Sequence, residues 1–194
     1  MDWEAAYQIG ETPWDKGAGA PELAFVLADG LLNGRVLVPG CGLGHDARLI
    51  AAGGATEVVG LDIAPSAVEA ACALGVGENL RFEQGDLFAL PERLKGYFSW
   101  VWEHTCFCAI DPSLRISYVN AIGEALQLGG YLVAIFYLNP RDDDDRSGPP
   151  FGVTKEELDH HFGERFELVR EWAPRGSYPG REGREWCRLL RRVK

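Results

Sequence analysis

The stretch that decides the fold reads Arg35-Val-Leu-Val-Pro-Gly-Cys-Gly-Leu-Gly-His-Asp46. Its apolar residues 36–38 predict a buried strand, and Pro39 ends that strand because proline has no N–H to donate to a sheet. Residues 46–52 predict a helix that stops at two glycines. Alternate positions of the intervening turn are glycines, namely Gly40, Gly42 and Gly44. Such a turn presents backbone N–H groups at a helix N-terminus, and a ligand can approach closely because no Cβ stands in the way.

A second predicted strand, residues 57–61, leads directly into Asp62. An acidic residue about 20 positions after a glycine turn commonly accepts hydrogen bonds from two ribose hydroxyls. The turn and Asp62 together therefore predict a nucleoside site, and we assign the next residue, Ile63, to the same cofactor shell. A dinucleotide site has the spacing G-x-G-x-x-G, whereas here the third glycine comes one position early. The spacing instead resembles motif I of S-adenosylmethionine-dependent methyltransferases.

Length and charge limit the classes of function. The 194 residues predict a single domain over positions 1–194, without a boundary or an internal repeat. The formal net charge of -10 argues against a nucleic-acid partner, because phosphate binding needs a basic face. No apolar run approaches the roughly 18 residues of a membrane-spanning helix, and the N-terminus does not resemble a signal peptide. We therefore expect a cytoplasmic monomer that has no membrane partner.

The cysteines favour free thiols over a structural framework. Their number is odd, and no pair has C-x-x-C spacing, which argues against disulfides and against a zinc site. They are Cys41, Cys72, Cys106, Cys108 and Cys187. We expect no bound metal and a reducing compartment.

The remaining pattern alternates helices and strands, which predicts an α/β fold with a doubly wound, mostly parallel sheet and an antiparallel strand near the C-terminal end. A helix over residues 112–128 is expected to end at Gly129 and Gly130. The irregular residues 139–152 are typical of a lid or a disordered loop. Thr154 begins a capping box that opens another helix. The basic residues 188–194 are interpreted as an edge strand with charged gatekeepers.

In such a sheet a ligand lies beyond the carboxyl ends of the strands. Asp62 follows the second strand there, and we expect it to hold the ribose. Asp86 follows the third strand and is a candidate acceptor for the adenine amine, with Leu87 packing on the ring; a simple turn or cap role for Asp86 stays open. His104 follows the fourth strand, where the amino acid part of the cofactor is expected, although a packed or capping histidine is the alternative.

Several motifs together resemble the thiopurine S-methyltransferase family, and most closely its halide and thiol methyltransferase branch. They are Gly10-Glu-Thr-Pro-Trp-Asp15, Val38-Pro-Gly-Cys-Gly42, Gly60-Leu-Asp62, Gly85-Asp-Leu87, Phe107-Cys-Ala-Ile-Asp-Pro112 and Gly148-Pro-Pro-Phe151. The resemblance covers nearly the whole chain and implies a Rossmann-like, seven-stranded class I methyltransferase sheet that binds S-adenosylmethionine.

The resemblance also implies a role for the N-terminus. Residues 1–22 would form a lid whose aromatic residues cover the cofactor: Trp3, Tyr7 and Trp14. Carried over by position, the remaining cofactor shell is Gly40, Asp62, Asp86, Leu87 and His104. Two positions depart from the family pattern. His104 replaces a common tyrosine or arginine, and Phe151 replaces a common tyrosine.

The expected reaction is in-line methyl transfer to a small, soft nucleophile: a thiol, hydrosulfide, thiocyanate or halide. The candidate acceptor pocket has apolar walls that are easily desolvated, formed by Cys106, Phe107 and Phe151. Its candidate sources of positive charge are His104, Arg141 and Arg146. A thiopurine or other aromatic thiol is the alternative acceptor. A non-catalytic nucleoside-binding module remains a second alternative. A nicotinamide oxidoreductase would have the glycine spacing G-x-G-x-x-G and a separate substrate domain, and this sequence shows neither.

Overall fold

The structure, a computed structural model, describes residues 1–140 and 148–194. Within those residues, seven strands form one sheet. The strands are β1 (Arg35–Pro39), β2 (Glu57–Asp62), β3 (Leu80–Gln84), β4 (Phe98–His104), β5 (Leu126–Tyr137), β6 (Phe166–Trp172) and β7 (Glu185–Arg192). The α-helices are α1 (Trp3–Ile9), α2 (Pro21–Ala28), α3 (His45–Ala52), α4 (Pro65–Ala73), α5 (Arg115–Ala125) and α6 (Lys155–Phe162).

The strand order is β3-β2-β1-β4-β5-β7-β6. The pairs β1 with β2, β1 with β4, β2 with β3 and β4 with β5 are parallel, while β7 runs antiparallel to both β5 and β6. The predicted class I methyltransferase sheet is therefore confirmed. The chain order reverses between β1 and β4, which opens a crevice at their carboxyl ends.

The core has two layers, one on each face of the sheet. One layer contains Phe107 and Tyr118, and the other contains Leu23 and Ile50; all four are at most 1% exposed. Burying a large apolar side chain stabilises the fold by roughly 1.5–3 kcal/mol. This packing on both faces leaves the carboxyl edge of the sheet as the place where polar side chains meet.

The helix predicted over residues 112–128 is shorter than expected. It begins after a 3-10 turn and ends at Ala125, and β5 starts at the next residue. Gly129 and Gly130 therefore lie inside a strand and do not end the helix. A side chain on Gly130 would stand 3.1 Å from the backbone oxygen of Ser99, so the glycine allows β4 and β5 to approach closely.

The prediction of an edge strand over residues 188–194 is wrong. β7 is inserted between β5 and β6, and β6 forms the edge. Arg188 is only 2% exposed in this inner strand, and its guanidinium pairs with Asp159 at 2.8 Å and with Glu171 at 3.1 Å. The basic side chain therefore finds acidic partners on neighbouring elements, where an edge strand would have faced solvent.

Candidate cofactor and acceptor site

The glycine turn after β1 has backbone angles that favour glycine. The φ angles of Gly40, Gly42 and Gly44 are +59°, +52° and +78°. A Cβ on Gly40 would stand 2.9 Å from Cys106 Sγ, and one on Gly42 would stand 2.8 Å from the Tyr7 hydroxyl. The absence of side chains on these glycines therefore lets the N-terminal segment and the turn after β4 come close to the backbone of this turn, which we call the glycine cradle.

Asp62 ends β2 beside this cradle and is 7% exposed. Its Oδ2 accepts the N–H of Gly42 at 2.8 Å, and its Oδ1 accepts the N–H of Ala64 at 3.0 Å. Burial raises the pKa of Asp62, and the backbone N–H groups oppose that shift. A carboxylate has about four acceptor positions. The N–H groups of Gly42 and Ala64, together with that of Ile63, use part of this capacity and orient the carboxylate, which keeps an acceptor position for the ribose.

The residues after β3 have a clear local role. Asp86 Oδ1 accepts the N–H of Phe88 at 2.8 Å and caps the 3-10 turn Leu87–Ala89. Leu87 packs against the core from the rim of the site. Ile63 is 51% exposed next to Asp62. The capping alternative for Asp86 is thus present in the structure, and its adenine contact stays a prediction, as does the assignment of Leu87 and Ile63.

The N-terminal segment docks on the cofactor side of the sheet. The Glu4 carboxylate accepts the N–H of Ser66 at 3.0 Å and its hydroxyl at 2.6 Å, which joins α1 to the start of α4. The indole N–H of Trp14 donates to the Tyr7 hydroxyl at 3.2 Å. The Trp3 and Trp14 rings meet edge to face at 5.2 Å. The three aromatic residues of the predicted lid therefore form one cluster, and Tyr7 brings that cluster to Gly42.

His104, at the end of β4, is held by an acid that the sequence analysis did not single out. Its Nδ1 lies 3.2 Å from Asp46 Oδ2, and the Trp102 indole donates to the same oxygen at 2.7 Å. Asp46 Oδ1 accepts the N–H of Ala20 at 2.7 Å. Burial acts to raise the pKa of Asp46, but the contacts with His104, Trp102 and Ala20 outweigh it, and the pKa is lowered. Asp46 thus ties the lid, α3 and β4 together at the site.

The turn after β4 faces the glycine cradle from the other side. Glu103 accepts the N–H groups of Cys106 and Phe107 at 2.9 and 2.8 Å. Thr105 has a left-handed φ of +64°, which is unusual for a β-branched residue and is a feature of functional turns. Phe107 is 1% exposed and packs in the core with Phe136, so its ring supports the turn from below.

The predicted acceptor residue Phe151 is joined to this turn. Its N–H donates to the carbonyl of Cys108 at 2.6 Å, and the Arg115 guanidinium donates to the carbonyl of Gly152 at 2.8 Å. Arg115 is 3% exposed and also lies over the Phe107 ring. Arg141 and Arg146, two predicted sources of positive charge, lie outside the described residues.

Other groups at this edge were missed by sequence reasoning. The Arg181 guanidinium lies over the rings of Tyr137 and Tyr178 at 5.0 and 5.4 Å and pairs with Glu185 at 3.4 Å. The Tyr178 ring lies 5.8 Å from His104. These residues come from the end of β5 and the link before β7. No local motif marks them, because the antiparallel insertion of β7 brings them to the site.

The residues present fit S-adenosylmethionine. The backbone of the glycine cradle has no Cβ at alternate positions to cover its N–H groups, the α3 N-terminus adjoins it, and Asp62 retains acceptor capacity for a ribose. Within residues 1–140 and 148–194, no group of three or more His, Cys, Asp or Glu residues is arranged to hold a metal ion. The helices of the same residues include none that is both long and apolar enough to cross a bilayer.

Comparison with known proteins identifies the family of this chain. The family model for thiopurine S-methyltransferase matches residues 1–174. The chain belongs to the thiopurine S-methyltransferase family. Like the other members of this family, it is a methyltransferase that depends on S-adenosylmethionine.

Relatives with different acceptors in their names are similar to this chain. Probable thiol methyltransferase 2 of Arabidopsis thaliana is 35% identical over 163 residues, which covers 81% of this chain and 69% of the relative. Thiocyanate methyltransferase 1 of Brassica oleracea is 37% identical over 158 residues, with coverage of 78% and 67%. A thiopurine S-methyltransferase of Shewanella amazonensis is 31% identical over 154 residues, with coverage of 71% and 68%.

The fold is shared with more distant methyltransferases. The Burkholderia thailandensis 1,6-didemethyltoxoflavin-N1-methyltransferase, solved with its substrate and S-adenosylhomocysteine, matches with a TM-score of 0.76 at 20% identity. The match covers 100% of this chain and 86% of that one. At this identity the likeness supports the fold, while the acceptor has to be argued from the site.

Proposed function

We propose that this methyltransferase transfers the methyl group in line to a small, soft nucleophile: a thiol, hydrosulfide, thiocyanate or a halide ion. The observation that carries the proposal is the surface beyond β4 and β5. Beyond β4, Phe151 is bonded to Cys108 in the turn that also contains the Cys106 thiol. Beyond β5, the Arg181 guanidinium lies over the rings of Tyr137 and Tyr178. The names of the relatives from Arabidopsis and Brassica agree with it.

The apolar setting favours soft anions on energetic grounds. A large polarizable anion loses less free energy on leaving water than chloride or a carboxylate does, so a surface with few exposed polar groups discriminates in its favour. The Arg181 guanidinium, although paired with Glu185, supplies positive charge close to that surface. Its planar, weakly hydrated charge suits contact with aromatic rings and with a poorly hydrated anion.

Each part of the site then has a role in binding and orientation. Asp62 would hold the ribose, Asp86 and Leu87 would meet the adenine, and the lid rings would lie near the sulfonium by cation–π contact. The bound cofactor supplies an electrophilic methyl group on a positively charged sulfur. The chain aligns the acceptor with it and excludes water, which are the contributions that such a displacement chiefly needs.

The cellular setting is part of the proposal. The described cysteines are all free thiols, three of them at positions that solvent reaches at least in part: Cys41, Cys72 and Cys106. Reduced thiols of this kind are typical of the cytoplasm. We therefore place the enzyme there, as a monomer acting on a small molecule.

A competition panel tests the acceptor. Purified protein is given methyl-labelled S-adenosylmethionine and, in separate reactions, iodide, thiocyanate, hydrosulfide, a small aryl thiol and a thiopurine. We expect kcat/KM for at least one of the small nucleophiles to exceed that for the thiopurine by at least tenfold. Efficient transfer to the thiopurine or aryl thiol without transfer to the small nucleophiles assigns the site to aromatic acceptors. Binding of the cofactor without any transfer would indicate a non-catalytic module.

A further inference from the structure

An imidazole and a carboxylate from different elements form a close pair at the carboxyl edge of the sheet. His104 ends β4, and Asp46 lies in the first turn of α3, just after the glycine cradle. The His104 Nδ1 atom lies 3.2 Å from Asp46 Oδ2, and the two side chains are 10% and 13% exposed. The pair is therefore largely shielded from water, although part of the imidazole is still open to a small molecule.

The ionisation of Asp46 decides which ring nitrogen of His104 carries hydrogen. Burial acts to raise the pKa of Asp46, but its contacts with His104 and with two other donors outweigh burial, and the lowered pKa makes it a carboxylate at neutral pH. A carboxylate can only accept hydrogen bonds, so His104 Nδ1 must be the donor. In a neutral imidazole the other nitrogen, Nε2, then has the free lone pair.

The carboxylate that orients His104 is itself held in place. Asp46 Oδ2 also accepts the indole N–H of Trp102 at 2.7 Å, and Oδ1 accepts the N–H of Ala20 at 2.7 Å. Trp102 has no exposed surface, so the core fixes its indole. A side chain that takes part in chemistry needs this kind of support, because its orientation has to be set before the substrate binds.

The His104 ring borders the surface assigned above to the acceptor. It lies 5.8 Å from the Tyr178 ring, and the planes of the two rings are 32° apart. The Arg181 guanidinium lies over the same tyrosine at 5.4 Å. No hydrogen bond occupies His104 Nε2 within residues 1–140 and 148–194. Since Nδ1 is turned to Asp46, Nε2 is the ring nitrogen that stays available to a ligand.

The other titratable groups near His104 are unsuited to accept a proton from an acceptor at neutral pH. Burial raises the pKa of Tyr178 to about 12, and its hydroxyl donates to the Ala18 carbonyl at 2.6 Å. Burial also raises the pKa of the Cys106 thiol well above its usual range. Glu103 has no exposed surface, and its Oε1 already accepts two N–H groups of the following turn. A small acceptor at this surface therefore meets His104 as the available base.

We propose that His104 Nε2 accepts the proton that a neutral thiol acceptor loses during methyl transfer, and that Asp46 is the positioning residue for this imidazole. This proposal rests on the proposed function and adds a catalytic residue to it. The S–H bond of the acceptor breaks, and its electron pair forms the new S–C bond to the methyl group. The bond from the methyl group to the sulfonium breaks, and its electron pair stays on the sulfur of S-adenosylhomocysteine. One positive charge thus passes from the sulfonium to the imidazolium, next to the Asp46 carboxylate.

The two kinds of acceptor then depend differently on this base. A simple alkyl thiol is mostly protonated at pH 7, as a free cysteine thiol is, so its methylation needs a proton acceptor. Thiocyanate is already an anion and has no proton to lose. If His104 acted instead as a cation that binds anions, its loss would harm thiocyanate more than the thiol. The ratio of kcat/KM for the alkyl thiol to kcat/KM for thiocyanate therefore reports the role of the imidazole.

The test measures this ratio at pH 7 in the wild type and in His104→Gln. Glutamine keeps a polar side chain at the end of β4 but cannot take up a proton. Removing a general base typically costs 10²–10⁴-fold, so we expect the ratio to fall about 100-fold. His160→Gln is the matched control, because His160 is exposed on α6, and its ratio should equal that of the wild type.

Two further variants test the positioning role and the base itself. Asp46→Asn removes the negative charge that stabilises the imidazolium, so the ratio should fall here too, by about tenfold or more. In His104→Ala, added imidazole should restore transfer to the alkyl thiol more than transfer to thiocyanate. A loss that is merely structural would not show this selective rescue.

Equal losses for the two acceptors in His104→Gln, a larger loss for thiocyanate, or no loss for either overturn the proposal. Wild-type transfer to thiocyanate without transfer to an alkyl thiol also overturns it but leaves the proposed function intact. Wild-type transfer to none of the small nucleophiles contradicts the proposed function itself. If no His104 variant folds, ¹⁵N NMR of the wild-type histidines decides: neutral His104 should carry its hydrogen on Nδ1, and hydrogen on Nε2 excludes the base.

Discussion

Replacing Asp62 by asparagine should separate cofactor affinity from stability. Asparagine has the same shape and keeps one acceptor oxygen, but it loses the charge and places N–H groups where the structure needs acceptors for Gly42 or Ala64. Hydrogen bonds to a charged group contribute about 1.5–3 kcal/mol. At 1.4 kcal/mol for each factor of ten, the dissociation constant of S-adenosylhomocysteine should rise by about 10–150-fold.

Stability should respond differently, because burial raises the pKa of Asp62 and so makes its ionised form costly. The neutral amide removes that cost while weakening the bond to Gly42, and we expect the free energy of unfolding to change by less than about 1 kcal/mol. Isothermal titration calorimetry measures the affinity, and denaturant unfolding measures the stability. Asp29→Asn is a matched control at the end of α2, where the carboxylate pairs with Arg175. A folded Asp62→Asn protein with wild-type affinity would mean that the ribose lies elsewhere.

Three other perturbations follow from the same contacts. Asp46→Ala leaves the Trp102 indole and the Ala20 N–H without their acceptor and should lower the free energy of unfolding by about 2–3 kcal/mol. Because the pKa of Asp46 is lowered, this difference in stability should shrink as pH falls through that pKa. Denaturant titrations measure it, and an equal loss of stability at acidic and neutral pH would refute the assignment. The pKa of Glu103 is raised from 4.5 to about 7, so wild-type stability relative to Glu103→Gln should fall by about 3 kcal/mol as pH rises through that interval, and a constant difference would argue against the titration. The aromatic cluster of residues 1–20 should gain the cofactor as a further contact, so S-adenosylhomocysteine should slow cleavage of these residues in limited proteolysis, and equal cleavage with and without it would count against a lid.

Local patterns carried most of the information that sequence reasoning used correctly. The glycine turn, Asp62 and the Thr154 capping box are each defined by residues within a few positions, and the structure has them where the pattern placed them. The misassigned parts depend on distant pairing. In the sequence, Gly129 and Gly130 resemble the end of a helix. In the structure, β4 lies close beside Gly130, and both glycines belong to β5. In the sequence, the basic end of the chain resembles an edge strand, but in the structure β6 pairs with β7 and covers it.

The candidate site shows the same contrast between residues that local patterns mark and residues that only distant contacts bring together. Cofactor candidates that end strands were identifiable because carboxyl ends of parallel strands meet at one edge. Asp46 was missed because its partners Ala20 and His104 are 26 and 58 positions away along the chain. Arg181 was missed because its rings, Tyr137 and Tyr178, come together only through the link before β7. Hydrogen bonding and cation–π contact of this kind leave no periodic signal in a sequence.

The central claim is that the carboxyl edge binds S-adenosylmethionine and presents its methyl group to a soft anion. A crystal structure with S-adenosylhomocysteine and iodide tests it most directly, because the anomalous scattering of iodide locates the anion without ambiguity. We predict ribose hydroxyls within hydrogen-bond distance of Asp62, and iodide between the cofactor sulfur and the surface formed by Cys106, Phe151 and Arg181. A ribose bound away from Asp62, or iodide found only at other surfaces, would contradict the account.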